Sequence, residues 1–472
     1  MPGLFGMLNL GSRSLQAQQQ GVAVAGQNLA NVNNPAYARQ RLNLQTSTPT
    51  MGGMGPEGSG VDAVGITQLR NAFLDVQVRS ETSVMGFLQS QQTALQYATA
   101  GLGEQLASSA STGGATSVGS NGGLADNLAG LFNAFQDLTT APASLTNRQV
   151  VISQAQQLAS KFNQVDQRLA LVNNELNGSV QTDVSSVNQL LTGIAGLNQQ
   201  ITAAEVATGG TANDLRDLRQ QKIEDLAKLV SFQSAATADG AVNISVAGNL
   251  LVAGNNVLDT LQTYDAGGGQ LLVQTASSGT PLALTGGSIQ GSITARDGSL
   301  QSLRNGLNDL ATQFITQVNT VYRAGYDLNG NTNADLFTGA NAADIGVTAA
   351  LLSDPSKLQA GGVLGAPGDS QVALALAQLA GVRQPGLGNQ TFSENYAGVI
   401  TDLGFSLSGV NSQISDQEVV QKMLQAQRSS VSGVSLDEEM VDLVKYQRAF
   451  QASAHLISTV DQMLDVVVNL KG

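Results

Sequence analysis

The two ends of the chain carry the same kind of apolar stripe. Near each terminus, apolar residues recur at steps of seven positions, with a second apolar line beside them. A seven-residue step predicts an amphipathic helix with a narrow seam, and such a helix gains its stability mainly by packing against another helix. We therefore predict that the two stripes form an assembly interface. Its residues are Leu4, Leu8, Leu15, Val22 and Leu29 at one end and Leu436, Leu443, Phe450, Ile457 and Leu464 at the other.

The carboxy-terminal stripe begins with a helix-start signal, SLDEE. Ser435 and Glu438 make a capping box, and Asp437 and Glu439 lie where the positive end of the helix dipole favours carboxylates. Neighbouring carboxylates can also serve in acid–base catalysis. Their place in a first helical turn explains them without catalysis, and we interpret them as a helix start.

Long helical patterns fill much of the chain between the stripes. Apolar residues at three- and four-residue steps run from Leu74 to Leu106, from Val151 to Leu176 and, after Gly178, from Val180 to Ile194. From about Ser231 the pattern changes to short alternating runs separated by Gly and Asn, which is typical of strands joined by tight turns. Helical spacing returns at residues 298–322, and a last pair of helices starts near Glu394.

The pattern predicts an α+β multidomain fold. It combines terminal helices paired as a coiled-coil-like layer, an elongated helical bundle and a β-rich inserted outer domain. The predicted domains are a terminal inner domain (1–42 with 436–472), a helical rod domain (43–230 with 288–325 and 392–435) and a β-rich outer domain (231–287 with 326–391).

The charge and composition of the chain exclude several classes of function. Its net charge of −13 argues against nucleic-acid binding, which needs a basic surface to contact phosphates. The sequence has no cysteine, and so no disulfide, thiolate metal site or thiol nucleophile. No apolar run approaches the roughly 18 to 20 residues of a membrane span, so we predict no membrane insertion. The amino terminus lacks the pattern of a cleaved signal peptide.

One short motif matches the glycine spacing of a nucleotide-binding fingerprint but not its structural context. Gly53, Gly55 and Gly58 form G-x-G-x-x-G, which requires a buried strand before it and a helix starting within it. The preceding NLQTSTPTM is polar and Pro56 interrupts the motif. We therefore predict no nucleotide cofactor.

Two further candidates for metal or catalytic chemistry are incomplete. Asp327, Asn329 and Asn331 begin like a calcium loop, but Thr332 replaces its glycine and Thr338 its bidentate glutamate, so an Asx-rich turn is the prediction. His455 is the single histidine, and we place it in or beside the packed stripe. We predict no catalytic, cofactor-binding or metal site, and no enzymatic activity.

The sequence NLANVNNPAYARQ forms an asparagine-rich corner after the first stripe. Asparagine tolerates left-handed backbone angles and bonds nearby backbone groups, so it suits the end of a helix, and proline then prevents helical continuation. The corner residues are Asn28, Asn31, Asn33, Asn34, Pro35 and Tyr37.

This corner closely resembles the signature of the axial proteins of the bacterial flagellum, which are the rod, hook and hook-associated proteins. The signature positions are Asn28, Asn31, Asn33, Pro35 and Tyr37, and LDEEMVDLVKYQRAFQASAHLISTVDQML is similar to the carboxy-terminal signature of the family. GSGVDAVGITQLRNAFLDVQVR, NDLRDLRQQKIEDLAKLV and VNTVYRAGYDLNG resemble hook-associated members. Ala36 stands where the family usually has glycine, which suggests a turn without positive φ, and Tyr322 stands where a histidine is common.

The resemblance implies a non-enzymatic structural protein at the junction of hook and filament. It implies export by the flagellar type III apparatus, with an uncleaved amino terminus, and assembly at the hook tip. The implied partners are further copies in a ring, the hook protein, a second junction protein (hook-associated protein 3) and a small export chaperone for the carboxy-terminal helix. The alternatives are a hook or rod subunit, against which the helical block from Leu124 to Leu229 counts, and a secreted adhesin or hydrolase.

Overall fold

Helices make up most of the chain. The computed structural model describes residues 3–34, 36–52, 55–103 and 122–469. Its helices are α1 (Leu4–Ala30), α2 (Ala72–Leu102), α3 (Leu124–Leu138), α4 (Leu145–Thr208), α5 (Asn213–Leu229), α6 (Gly287–Ala295), α7 (Gln301–Tyr322), α8 (Ala349–Ser353), α9 (Gln371–Gln378), α10 (Phe392–Ser432) and α11 (Leu436–Asn469). A π-helical turn, Arg296–Leu300, joins α6 to α7. At this level the α+β prediction is confirmed, as a mostly helical chain with small sheets.

The strands pair in antiparallel fashion. They are β1 (Gln40–Thr46), β2 (Thr50–Gly52), β3 (Gly55–Glu57), β4 (Val61–Gln68), β5 (Gln233–Ala236), β6 (Val242–Val246), β7 (Asn249–Ala253), β8 (Asn256–Val257), β9 (Leu261–Asp265), β10 (Leu271–Thr275), β11 (Phe337–Thr338) and β12 (Gly346–Val347). β5 to β8 form one four-stranded sheet in chain order, and the pairs β1–β4, β2–β3, β9–β10 and β11–β12 form two-stranded sheets. Ala247 and Gly248 between β6 and β7 both have positive φ, as a type I′ hairpin turn requires.

α4 is the longest of the described elements and contributes to both hydrophobic cores. Its 64 residues correspond to about 96 Å of helix at 1.5 Å per residue. The side chain of Ser144 caps its start, and Gly209 ends it in the left-handed conformation. The two apolar runs that meet at Gly178 in the sequence are one continuous helix, because packing on both sides offsets the roughly 1 kcal/mol penalty of an internal glycine.

Two hydrophobic cores lie along α4. The first contains the buried residues of α4 from Val151 to Leu176, together with parts of α2, α3, α7, α9 and α10. The second contains those from Val180 to Ala195, together with parts of α5, α6 and the β5–β10 region. Buried residues of segment 326–391 belong to the first core, and those of 231–287 to the second. Their grouping into one outer domain stays a prediction.

Asparagine side chains join the β-rich insert to α4. Asn188 donates to Leu261 O and accepts from Leu261 N, both at 2.8 Å. Asn198 bonds Val242 in the same way, at 2.9 and 3.1 Å. Asn177 bonds the turn between β9 and β10. Steps of 11 and 10 residues are close to three helical turns, so the three amides lie on one face of α4 and satisfy backbone groups of the strands.

Two buried arginines reinforce these contacts. Arg219 Nη1 donates to Asn198 Oδ1 at 2.7 Å and to Gly240 O at 2.8 Å. Arg296 Nη1 donates to Asn177 Oδ1 at 2.5 Å and to a carbonyl of β10 at 2.7 Å. Burial lowers the pKa of Arg219 to about 10, which still leaves it charged at neutral pH. The strands of the 231–287 segment are therefore held against α4 by charged hydrogen bonds as well as by their apolar core.

Candidate assembly site

α1 and α11 pack against each other in antiparallel directions. The hydroxyl oxygens of Ser14 and Ser453 are 2.8 Å apart near the middle of the pair. Nearer the corner, Gly21 lies beneath the ring of Tyr446, and a Cβ added to Gly21 would be 2.6 Å from ring carbons. A methyl group does not fit at that distance, so the close approach of the two helices depends on glycine.

The predicted interface residues are not the most buried residues of α1 and α11. The buried residues of α1 are small or polar apart from Val24; they are Gly11, Ala17, Gly21, Val24, Ala25 and Asn28. The half-buried predicted residues are Leu4, Leu8, Leu15, Val22, Leu29, Leu443, Phe450, Ile457 and Leu464, whereas Leu436 is 49% exposed. Ile457 nevertheless packs directly over Gly11, so this predicted residue takes part in the contact between the two helices. The role of the predicted residues in assembly between subunits stays a prediction.

Asn28 closes the corner between α1 and β1. Its Nδ2 donates to Gln40 O at 2.8 Å, and its Oδ1 accepts from Gln40 N at 2.9 Å and from the Tyr37 hydroxyl at 2.8 Å. The same Nδ2 donates to Glu439 Oε2 at 3.0 Å. One buried amide thus joins α1, the corner and α11, with both of its polar atoms satisfied.

Glu439 is the buried centre of this junction, with 3% of its surface exposed. Its Oε1 accepts from Arg39 Nε at 2.7 Å, and Arg39 also pairs with Glu438 and donates its backbone N–H to Ser432 O at 2.9 Å. A buried carboxylate needs such a partner, and removing one member of the pair is strongly destabilising. α11 begins at Leu436, as its start signal predicts, but sequence spacing does not signal the contact with Arg39.

Further hydrogen bonds dock the corner on α5. Arg70 donates to Asp217 Oδ1 at 2.7 Å and to Ala36 O at 3.1 Å, and Ala38 N donates to Asp217 Oδ2 at 3.4 Å. Burial raises the pKa of Asp217, although the charge of Arg70 acts in the opposite direction. Burial also raises the pKa of Tyr37, and the neighbouring carboxylates add to the effect, so the phenol stays neutral and donates.

The other signature residues are less buried. Asn31 donates to a backbone carbonyl one turn earlier at 3.0 Å, and Asn34 Oδ1 accepts from Ala36 N at 3.2 Å. Asn33 is exposed, and Pro35 lies outside the described residues. All four asparagines have negative φ, so the explanation by left-handed angles was wrong. Hydrogen bonds from Asn34 N to Asn31 O and from Tyr37 N to Asn34 O close the corner. The side chains of Asn28, Asn31 and Asn34 also bond nearby backbone groups, which is the second property for which asparagine suits this corner.

The calcium-like loop uses its carboxylate for its own turn. Asp327 Oδ1 accepts from the backbone N–H groups of Asn329 and Asn331, both at 2.8 Å, and Oδ2 accepts from Asn331 Nδ2 at 2.9 Å. Across the described residues, no group of three or more metal-ligating side chains could hold an ion. The Asx-rich turn predicted from the sequence is confirmed.

The remaining motifs do not assemble a chemical site. Gly53 lies outside the described residues, and Gly55 starts β3, which another strand follows instead of a helix. His455 is exposed on α11. In the ranges that the structure covers, no helix combines the length and apolar character that crossing a membrane requires.

Comparison with known families identifies two matching regions. Residues 115–337 match the model described as "Flagellar hook-associated protein FlgK helical domain". Residues 425–470 match that of the "Flagellar basal body rod FlgEFG protein C-terminal". The second match contains the whole of α11, the helix that contributes Glu439 to the contact with Asn28 and Arg39.

Relatives extend the similarity over the full length of the chain. Flagellar hook-associated protein 1 of Bacillus subtilis (strain 168) is 28% identical over 520 residues, covering 100% of this chain and 99% of the relative. The proteins of the same name from Salmonella typhimurium and Escherichia coli (strain K12) are 24% and 23% identical, each covering 98% of this chain and 100% of the relative. The flagellar hook junction protein FlgK from Burkholderia pseudomallei has a similar fold, with a TM-score of 0.64 and 16% identity, covering 75% of this chain and 100% of that chain.

Proposed function

We infer that this chain, which belongs to the flagellar hook-associated protein 1 family, is a structural protein that links the hook of the bacterial flagellum to its filament. The observation that carries the proposal is the antiparallel pair of terminal helices, joined to each other and to the corner through Asn28 and Glu439, in a chain that aligns with its relatives from end to end. The family is a structural one, and we propose that this member has no enzymatic activity.

We propose that the α1–α11 pair forms an inner coiled-coil-like layer of the assembly, corresponding to residues 1–42 and 436–472. The half-buried leucines beside the contact would pack against neighbouring subunits, because the small residues of the helix pair leave them partly uncovered. Residues 43–230, 288–325 and 392–435 would form the rod. Segments 231–287 and 326–391 would face outward as the β-rich outer domain, with their buried residues packed in two different cores.

The match to the rod and hook carboxy-terminal family supports partners along the flagellar axis. We propose that these partners are further copies of the chain in a ring, the hook protein and hook-associated protein 3. We further propose that a dedicated chaperone covers residues 436–472 before type III export, because an uncovered apolar helix invites aggregation. The chain would then work at the boundary between hook and filament.

Electron microscopy of cells that lack the protein tests this function. We expect intact hooks without filaments, and filament subunits released into the medium. Expression of the full chain from a plasmid should restore filaments. Normal filaments in the deletion strain would refute the junction role.

A further inference from the structure

α2 has an apolar stripe that the chain itself leaves uncovered. Phe73, Val76 and Val84 are 67%, 51% and 40% exposed, and with Ser80 and Phe87 they follow steps of three and four residues on one face. The other faces of α2 pack against α5, α6 and α10. The stripe is therefore a continuous helical surface and not a set of isolated exposed residues.

A groove of about 570 Å³ runs beside this stripe and contains Arg79. Phe232 and the start of β5 form its other wall, and the Arg79 guanidinium lies 5.9 Å from the centre of the Phe232 ring. Burial lowers the pKa of Arg79. Among the described residues no carboxylate forms a salt bridge with it, so the groove combines apolar and small polar side chains with a partly desolvated positive charge.

α10 carries a complementary stripe on its outer side. Phe405, Val419 and Met423 are 71%, 66% and 61% exposed, and the positions 405, 409, 412, 416, 419 and 423 follow one helical face. Asp416 is exposed in the middle of this face and makes no salt bridge with the described part of the chain. Gln417 bonds α2 from the opposite side of the helix, at 3.1 Å from Glu81 O.

We propose that the outer face of α10 in one copy docks on the α2 stripe and groove of the next copy, with Asp416 facing Arg79. The proposal rests on the ring assembly of the proposed function and names the surfaces that form it. Each face presents large exposed apolar side chains, and the two faces carry charges of opposite sign at Arg79 and Asp416. Because they lie on different helices, the contact is heterologous, and such a contact can continue around a ring, whereas a two-fold contact stops at a dimer.

Cysteine cross-linking tests the contact in assembled flagella. The native chain has no cysteine, so a Ser80→Cys, Val419→Cys double variant carries two thiols only. After mild oxidation of purified hook–filament structures, we expect dimers and higher multiples on a non-reducing gel. The matched control, Ser80→Cys with Thr192→Cys on an exposed face of α4, should remain monomeric.

A charge exchange tests the polar pair. Arg79→Glu or Asp416→Lys alone places like charges together and should lower the number of filaments per cell about tenfold, equivalent to roughly 1.4 kcal/mol. The double variant should return to within about twofold of the wild type. Unchanged melting temperatures would show that each variant folds. Normal filaments without cross-linked multiples, or no recovery in the double variant, would overturn this contact and leave the junction role intact. The junction role itself fails only if cells lacking the protein grow filaments.

Discussion

Asn28 and Gln40 exchange two hydrogen bonds, so the asparagine side chain acts as an additional peptide group beside β1. Asn188 and Asn198 bond the backbone of the insert in the same way. A strand that ends against a helix has backbone groups without a ladder partner, and a buried side-chain amide satisfies both the donor and the acceptor. The chain uses this arrangement at the corner and along α4.

Replacing Asn28 by alanine should destabilise the corner. The change leaves the backbone groups of Gln40, the Tyr37 hydroxyl and Glu439 with fewer partners in a buried place, at a cost of about 2–4 kcal/mol. Thermal unfolding and swimming assays should both show the loss. Asn33→Ala removes the same side chain at an exposed position and should change stability by less than about 0.5 kcal/mol. Equal effects of the two variants would contradict the role of the Asn28 network.

Gly21→Ala should separate the terminal helices. The added methyl group meets the Tyr446 ring and should cost about 1–3 kcal/mol through overpacking, although alanine is the better helix former. Limited proteolysis should then release the ends of the chain more rapidly. Gly26→Ala meets no atom within 4 Å and should be neutral or slightly stabilising. Equal proteolysis rates for the two variants would show that the close approach is unimportant.

Ile457→Asp should block incorporation into the flagellum. Ile457 is half-buried and lies over Gly11, so a carboxylate there is partly desolvated, with a cost on the order of 1–3 kcal/mol in each subunit. We expect hooks without filaments and free filament subunits in the medium. Thr459→Asp adds the same charge at an exposed position of α11 and should allow swimming. If Ile457→Asp cells swim normally, this face of α11 is not an assembly surface.

Glu205 should make stability depend on pH below neutrality. Its carboxylate receives two hydrogen bonds from Arg216, at 2.7 and 2.8 Å, and these lower its pKa below 4.5. The stabilisation is therefore fully present above pH 4.5 and is lost as the pH falls through the lower pKa of the folded state.

Glu205→Gln should lower the free energy of unfolding at neutral pH by about 1–3 kcal/mol. It should also flatten the fall in stability below pH 4.5, as measured by denaturant unfolding across pH. Glu418→Gln disrupts an exposed pair with Lys422 and should change stability by less than about 0.5 kcal/mol. An unchanged acid dependence in Glu205→Gln would exclude this ion pair as its source.

The sequence predicted most of the helices because their periodicity is local. α11 begins at Leu436, as its start signal indicates, and the strands of the insert lie between Gln233 and Thr275, within the predicted segment. The flagellar signature at both ends predicted the family for the same reason, since it consists of contiguous residues. Periodicity also placed Ile457 on a packing face, but it did not show that glycines opposite that face would form the centre of the contact.

Only the tertiary structure decided which residues join α1, the corner and the start of α11. Asn28 and Glu439 are separated by 411 positions and Arg39 and Glu439 by 400, and no local pattern encodes a contact over such a distance. The same first-turn glutamate could have remained a solvated residue that interacts with the helix dipole. It is instead a buried ligand of Arg39 and Asn28, because the close approach of α1 and α11 at Gly21 brings the start of α11 against the corner and removes that carboxylate from water.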